Sequence, residues 1–216
     1  MHWRRLFLVW ALFYLLISLY YLVTGINDFH IINSIALLVL SFLTRNLDWN
    51  IPRSAVWLFG LALLFNTLGV FPIQISEDVA NLYSLEHYDT LAHLIGMMLF
   101  SLSVFLTYRY VQERLKVLHI GILFFALFGI GACLEITEYS GYRLFGYGAG
   151  WLRFGEGDNS TNFGPWGDSM TDMLANLIGI TCGLLLLAIS VKVENFWNKR
   201  KKPNIAARKM RKRDTG

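Results

Sequence analysis

Three apolar stretches of this chain carry side chains that can do chemistry. Asp89 and His93 stand four residues apart in the first, Glu135 and Glu138 three apart in the second, and Asp168 and Asp172 four apart in the third. On a helix, spacings of three and four put two side chains on one face, where they can share a ligand. Carboxylates with one imidazole suit Zn, Mn or Fe, whereas carboxylates with amide and water suit Mg or Ca. Asp89, His93, Glu135, Asp168 and Asp172 are therefore the candidate ligands of a divalent metal ion, with Zn, Mn or Mg in view. Glu138 is the candidate catalytic base of a reaction such an ion would support. The sequence holds no zinc-protease motif, no phosphate-binding glycine loop and no serine nucleophile with a convincing partner.

The third stretch has the clearest pattern. At about 100° per residue, Asp168, Asp172, Asn176, Gly179 and Gly183 fall within roughly 80° of arc. One stripe thus gathers two carboxylates, an amide and two glycines, while Met, Leu, Ala and Ile occupy the other faces. Ionisable groups in a bilayer are costly and face a protein interior or a water-filled cavity. Small residues let a second helix come close. The stripe is expected to point inward, against a neighbouring helix. Plainer roles compete for some of these residues. Asp89 and Asp168, at the starts of their stretches, suit the capping of helix N-termini, and a single His near a helix end is ordinarily a hydrogen-bonded packing residue. Capping does not account for Glu135 and Asp172, which are not terminal. Something positive has to accompany them: a proton, a metal or a cationic ligand group, with Arg143 and Arg153 the basic side chains within sequence reach.

These residues need elements to position them, and composition says which kind. Of 216 residues, 55% are hydrophobic and 16% charged, where a soluble domain has about 25% charged. The chain reads as a membrane protein. Runs at 6–23, 29–44, 54–75, 88–108, 117–139 and 168–191 approach or exceed the ~20 residues that cross the hydrocarbon. The expected fold is all-α: a single six-helix transmembrane domain over 1–191 and a basic tail over 192–216. The first run resembles a signal peptide, but its length and the lack of a small-residue cleavage site make it an uncleaved span. The run 29–44 is the shortest and contains Asn33 and Ser34. With the N-terminus inside, 17 of the 19 Lys and Arg residues fall on the inner side, leaving Arg143 and Arg153 outside. The positive-inside rule then puts both termini in the cytoplasm. The ten basic side chains from Lys192 to Arg213 mark that side and touch anionic lipid, rather than nucleic acid. Cys133 and Cys182 should lie about 10 Å apart in depth, too far for a disulfide, and read as packing residues.

Between the last two runs, residues 140–167 hold eight glycines and seven aromatics. Structureless loops of this length are uncommon and often functional. The segment is either a belt of interfacial aromatic anchors or a flap over an outward-facing cavity.

The motifs Tyr88-Asp89-x-x-x-His93, Glu135-x-x-Glu138-Tyr139 and Gly167-Asp168-x-x-x-Asp172-Met173-x-x-Asn176-x-x-Gly179, in this order, resemble the uncharacterised bacterial inner-membrane proteins called YjdF. More distantly they resemble the VanZ-like family, some of whose members are linked to teicoplanin resistance. The resemblance runs from about 88 to 183, and the glycine-rich segment before Asp168 departs from it. It implies a multi-span protein of the bacterial plasma (inner) membrane with a polar intramembrane site and no established reaction. The VanZ-like likeness implies some relation to the outer face or to cell-wall precursors. From the residues themselves, the expectation is an outward-opening site in a metal-dependent enzyme or binder, acting on a lipid-linked or amphipathic substrate among membrane lipids. A proton- or cation-coupled transporter, with Glu135 and Asp172 alternating between protonated and ion-bound states, is the second reading. A structural or accessory membrane protein is the third. The lack of polar residues deep in the cytoplasmic halves places transport behind the first.

Overall fold

In lipid a chain satisfies its backbone groups only by bonding within itself, so long apolar runs become helices. The computed structural model describes residues 2–24, 39, 51–69, 72–75, 78–82, 87–112, 116–146 and 164–213. In chain order these form α1 (His2–Thr24), α2 (Arg53–Gly69), β1 (Pro72–Ile75), β2 (Asp78–Asn81), α3 (Tyr88–Val111), α4 (Val117–Phe145) and α5 (Gly164–Arg213). Among the described residues, three helical stretches are long and apolar enough to cross a membrane: Tyr88–Val111, Val117–Phe145 and Gly164–Trp197. The apolar helical stretches Arg5–Tyr20 and Arg53–Gly69 are shorter. The expected run 29–44 lies outside the described residues apart from position 39, as does 147–163 of the glycine-rich segment.

The run 54–75 is not one helix. It stops at Gly69, and Pro72–Ile75 instead pairs antiparallel with Asp78–Asn81, Pro72 opposite Asn81 and Ile75 opposite Asp78. Glycine favours a helix end, and proline pushes the residue before it out of the helical region. The fold is therefore helical with one small hairpin, not strictly all-α. Other boundaries also move. α4 runs past 139 to Phe145, where Gly146 at φ 90° closes it and sends its N–H to Tyr142 O at 2.8 Å. α5 starts four residues before Asp168 and continues as one helix of 50 residues into the basic tail.

α3 lies at the centre, with α2 on one side and α5 on the other; α4 packs mainly on α5, and α1 on α2. Lipid tails are as apolar as Leu, so helices associate in a membrane through close fit and polar contacts rather than hydrophobic burial. The α3–α5 contact shows both. A Cβ on Gly179 would run into the backbone carbonyl of Leu94 and come within 3.0 Å of Met98 N. One on Gly183 would run into the Ser101 hydroxyl and lie 2.8 Å from Met98 O. The stripe on α5 thus faces a neighbouring helix, as its pattern predicts. On the other side, Ser103 Oγ donates to Ala55 O at 2.7 Å and the Tyr88 hydroxyl to Phe65 O at 2.8 Å, tying α3 to α2. Tyr14 of α1 donates to Gly60 O at 2.7 Å. Met97, Phe105, Leu127, Ile180 and Leu187 fill the middle of the α3–α4–α5 bundle. At the end of the bundle away from the acids, Arg109 pairs with Glu194 at 2.6 Å and the Tyr108 hydroxyl meets His119 Nδ1. Cys133 is exposed and Cys182 half-buried, and both are free thiols.

Candidate functional site

α3 and α5 begin at the end of the bundle where α4 finishes, so three helix ends converge. His87 precedes α3 in the left-handed region at φ 67°. The first turn of α3 carries Asp89, and the next carries His93. α4 brings Glu135 and, one turn nearer its end, Glu138. α5 brings Asp168, Asp172 and Asn176 in three successive turns. Capping explains neither aspartate: the N-cap of α3 is His87, and Asp168 lies a full turn inside α5.

His93 is the hub. Its Nδ1 lies 3.1 Å from Asn176 Oδ1 and 3.2 Å from Glu135 Oε1, and its Nε2 lies 3.7 Å from Asp89 Oδ1. Two sets of potential ligand atoms result, each within 4.8 Å of one another: Asp89, His93 and Asp172, and His93, Glu135 and Glu138. The imidazole belongs to both sets and stands between them. Asp168 joins neither, although its charge bears on both Glu135 and Asp172. Five of the six residues picked from sequence thus come together around one ring, and the sixth sits a turn away.

Burial sharpens the picture. Glu135 and Asp172 are each 1% exposed and Asn176 is fully buried, while Asp89, His93 and Glu138 are partly open. Glu135 Oε1, Asp172 Oδ1 and Asn176 Nδ2 have no hydrogen-bond partner. A buried polar atom left unpaired costs about 1–3 kcal/mol, and a charged one more. The two carboxyl oxygens mark places where a positive or donating group belongs, whereas the amide nitrogen calls for an acceptor. The amide has its room because α4 carries Gly131 opposite it, where a Cβ would come within 2.9 Å of Asn176 Nδ2.

The hydrogen bonding also orients the ring. A carbonyl oxygen only accepts, so with Asn176 Oδ1 facing Nδ1 that nitrogen carries the hydrogen. Glu135 Oε1 is close to the same nitrogen but makes no hydrogen bond with it. The lone pair of neutral His93 is then on Nε2, the nitrogen 3.7 Å from Asp89 Oδ1.

Sequence reasoning put Asn176 on the stripe without giving it this task. It missed Ser169, which is 2% exposed with its Oγ unpartnered, because that residue lies about 20° beyond the edge of the stripe. It also missed Thr90, beside Asp172. Around the mouth, Tyr139 meets Trp166 edge-on with ring centres 5.3 Å apart and lies 6.4 Å from Tyr142. Arg143 is exposed, and Arg153 lies outside the described residues.

The family described as a predicted membrane protein (DUF2238) matches residues 5–192. The likeness to YjdF proteins is consistent with that match. No curated protein and no solved structure matches the chain.

Proposed function

We propose that this chain, which belongs to the predicted membrane protein family DUF2238, holds a divalent cation within the membrane for action on a lipid-linked or amphipathic substrate. The ion's ligands are Asp89, Asp172 and His93 through Nε2. The observation that carries this reading is the buried Asp172 Oδ1, which has no hydrogen-bond partner, on a residue whose ligand atom lies within 4.8 Å of those of Asp89 and His93. Metal-bound histidines characteristically donate their other ring N–H to a fixed acceptor, which sets the tautomer. Asn176 Oδ1 is placed for that task. Glu135 faces the other ring nitrogen, and Glu138, one turn along α4 and the more open of the two, is the candidate base. Asp168 contributes through its field rather than as a ligand. The apolar packing of Met97, Phe105, Leu127, Ile180 and Leu187 beneath the cluster favours a site entered and left from one side, and so an enzyme or binder over a transporter. The distant VanZ-like likeness fits a substrate met at the outer face.

Titration of zinc or manganese into metal-free, detergent-purified protein tests the assignment. Wild type should bind one ion per chain. Asn176→Leu, which keeps the volume and removes the acceptor, should bind roughly 10–100-fold more weakly. Equal affinity in the two proteins would refute the Nε2 assignment, and no saturable binding in wild type would refute the cation site.

The orientation proposed for the chain is six spans in the bacterial plasma membrane with both termini in the cytoplasm, supported by the 17-to-2 partition of basic residues. Reporter fusions after Lys116 and after Arg200 should report cytoplasm, and one at Gly157 should report the outside. A cytoplasmic signal at Gly157 would overturn the topology and the outward opening with it.

A further inference from the structure

His93 divides the cluster, and one of its edges has no part in holding the proposed cation. On the Nδ1 edge stands Glu135, its Oε1 3.2 Å from that nitrogen, and Glu138 joins it and His93 in a set of ligand atoms within 4.8 Å of one another. Glu135 is 1% exposed, and its Oε1 is without a hydrogen-bond partner. The ring cannot supply one, since its single Nδ1 hydrogen faces Asn176 Oδ1. Nor is a second metal ion favoured on this edge, because Nδ1 has no lone pair to offer. Glu135 has the imidazole at 3.2 Å and the Asn176 amide beside it, and a group that brings both positive charge and N–H donors would give Oε1 the hydrogen bond it lacks.

The same face of α4 continues outward in a different chemistry. At about 100° per residue, Glu135, Glu138, Tyr139 and Tyr142 fall within roughly 100° of arc. From the buried acid outward, the face passes through a half-buried acid to two half-buried aromatic rings. Trp166 of α5 closes on Tyr139 from the side and is itself 56% exposed. Aromatic anchors at a membrane interface are common, but an interfacial belt does not account for a buried carboxyl oxygen without a hydrogen bond at its foot. Carboxylate at the floor and aromatic rings at the rim suit an ammonium group, which the acids neutralise and the ring faces attract. The two acids repel a phosphate or sulfate head.

Resting on the reading that the metal ion sits on the Nε2 edge, we propose that Glu135, Glu138, Tyr139, Tyr142 and Trp166 form a second subsite. It takes the primary ammonium head of an amphiphile whose chain stays in the lipid.

The test uses the full-length protein in non-ionic detergent, titrated calorimetrically with decylammonium and with decyl sulfate, which share a chain and differ in head charge. Decylammonium should bind saturably at one site per chain, and decyl sulfate should not saturate. Glu138→Gln and Trp166→Leu should each weaken decylammonium binding at least tenfold while leaving the zinc titration as in wild type. Asp89→Asn should do the reverse, so failure of the metal site and failure of this subsite are separable. Trp166 is exposed, so its variant decides the matter even if the Glu138 variant does not fold. Equal saturation by decyl sulfate, or decylammonium binding untouched by Trp166→Leu, would overturn the subsite.

Discussion

Chelation should lower the melting temperature of the purified wild-type protein, and returning zinc or manganese should restore it. A ligand that binds only the folded state stabilises by about 2.7 kcal/mol at one hundred times its dissociation constant. A melt resolves a change of that size. Asp172→Asn keeps the shape of the side chain and removes a charge from the proposed ligand set. The variant should lose metal affinity and the chelator response together. Glu138→Gln, outside that set, should change both much less. A proton as the partner of the buried acids gives the opposite pattern. Chelation then has no effect, and Asp172→Asn is as stable as wild type or more so, since the amide resembles the protonated acid. Protein that carries no metal, ignores chelators and tolerates Asp172→Asn would eliminate the cation site.

Gly179→Leu should cost about 3 kcal/mol or more, or prevent folding altogether, at the upper end of what overpacking does. The first added carbon meets the Leu94 carbonyl, and a backbone atom cannot rotate away as a side chain can. α3 and α5 must then separate. His93 is the residue before Leu94, so separation also pulls the imidazole away from Asn176. Leu177→Ile, on a half-buried face away from the stripe, keeps its volume and should cost less than about 1.5 kcal/mol. Detergent melting curves check both changes. Equal tolerance would mean that the glycine stripe does not carry the α3–α5 contact.

What could be read in the sequence follows from what helix geometry fixes alone. The alignment of Asp172, Asn176, Gly179 and Gly183 needs only the turn of a helix, and those residues do face α3. The lengths of the runs that became α3, α4 and α5 needed only apolar composition. Composition failed at 54–75, because apolar residues count alike toward a helix and toward a strand; Gly69 and Pro72 decided the matter locally. Asp168 looked like the start of a helix because the glycines before it hid Gly164 and Pro165, although proline in a first turn is a recognised start signal. The division of the acids by His93 could not be read at all. A one-dimensional spacing says which face a residue occupies, but which ring nitrogen faces which carboxylate depends on Asn176, eighty-three positions away, and on the space left by Gly131.

The unbroken length of α5 also makes the protein a gauge of its surroundings. Lys192, exposed on that helix, lies 20 residues beyond Asp172, a rise of about 30 Å. That equals the thickness of a typical hydrocarbon layer. With the lysine held at one water boundary, the carboxylate comes level with the other. In a bilayer of shorter acyl chains Asp172 stands among the headgroups, and in a thicker one it is drawn beneath them unless the helix tilts or the lipid thins. Acyl-chain length thus sets how readily an ion or a headgroup reaches the acids, with no change in the protein's own contacts.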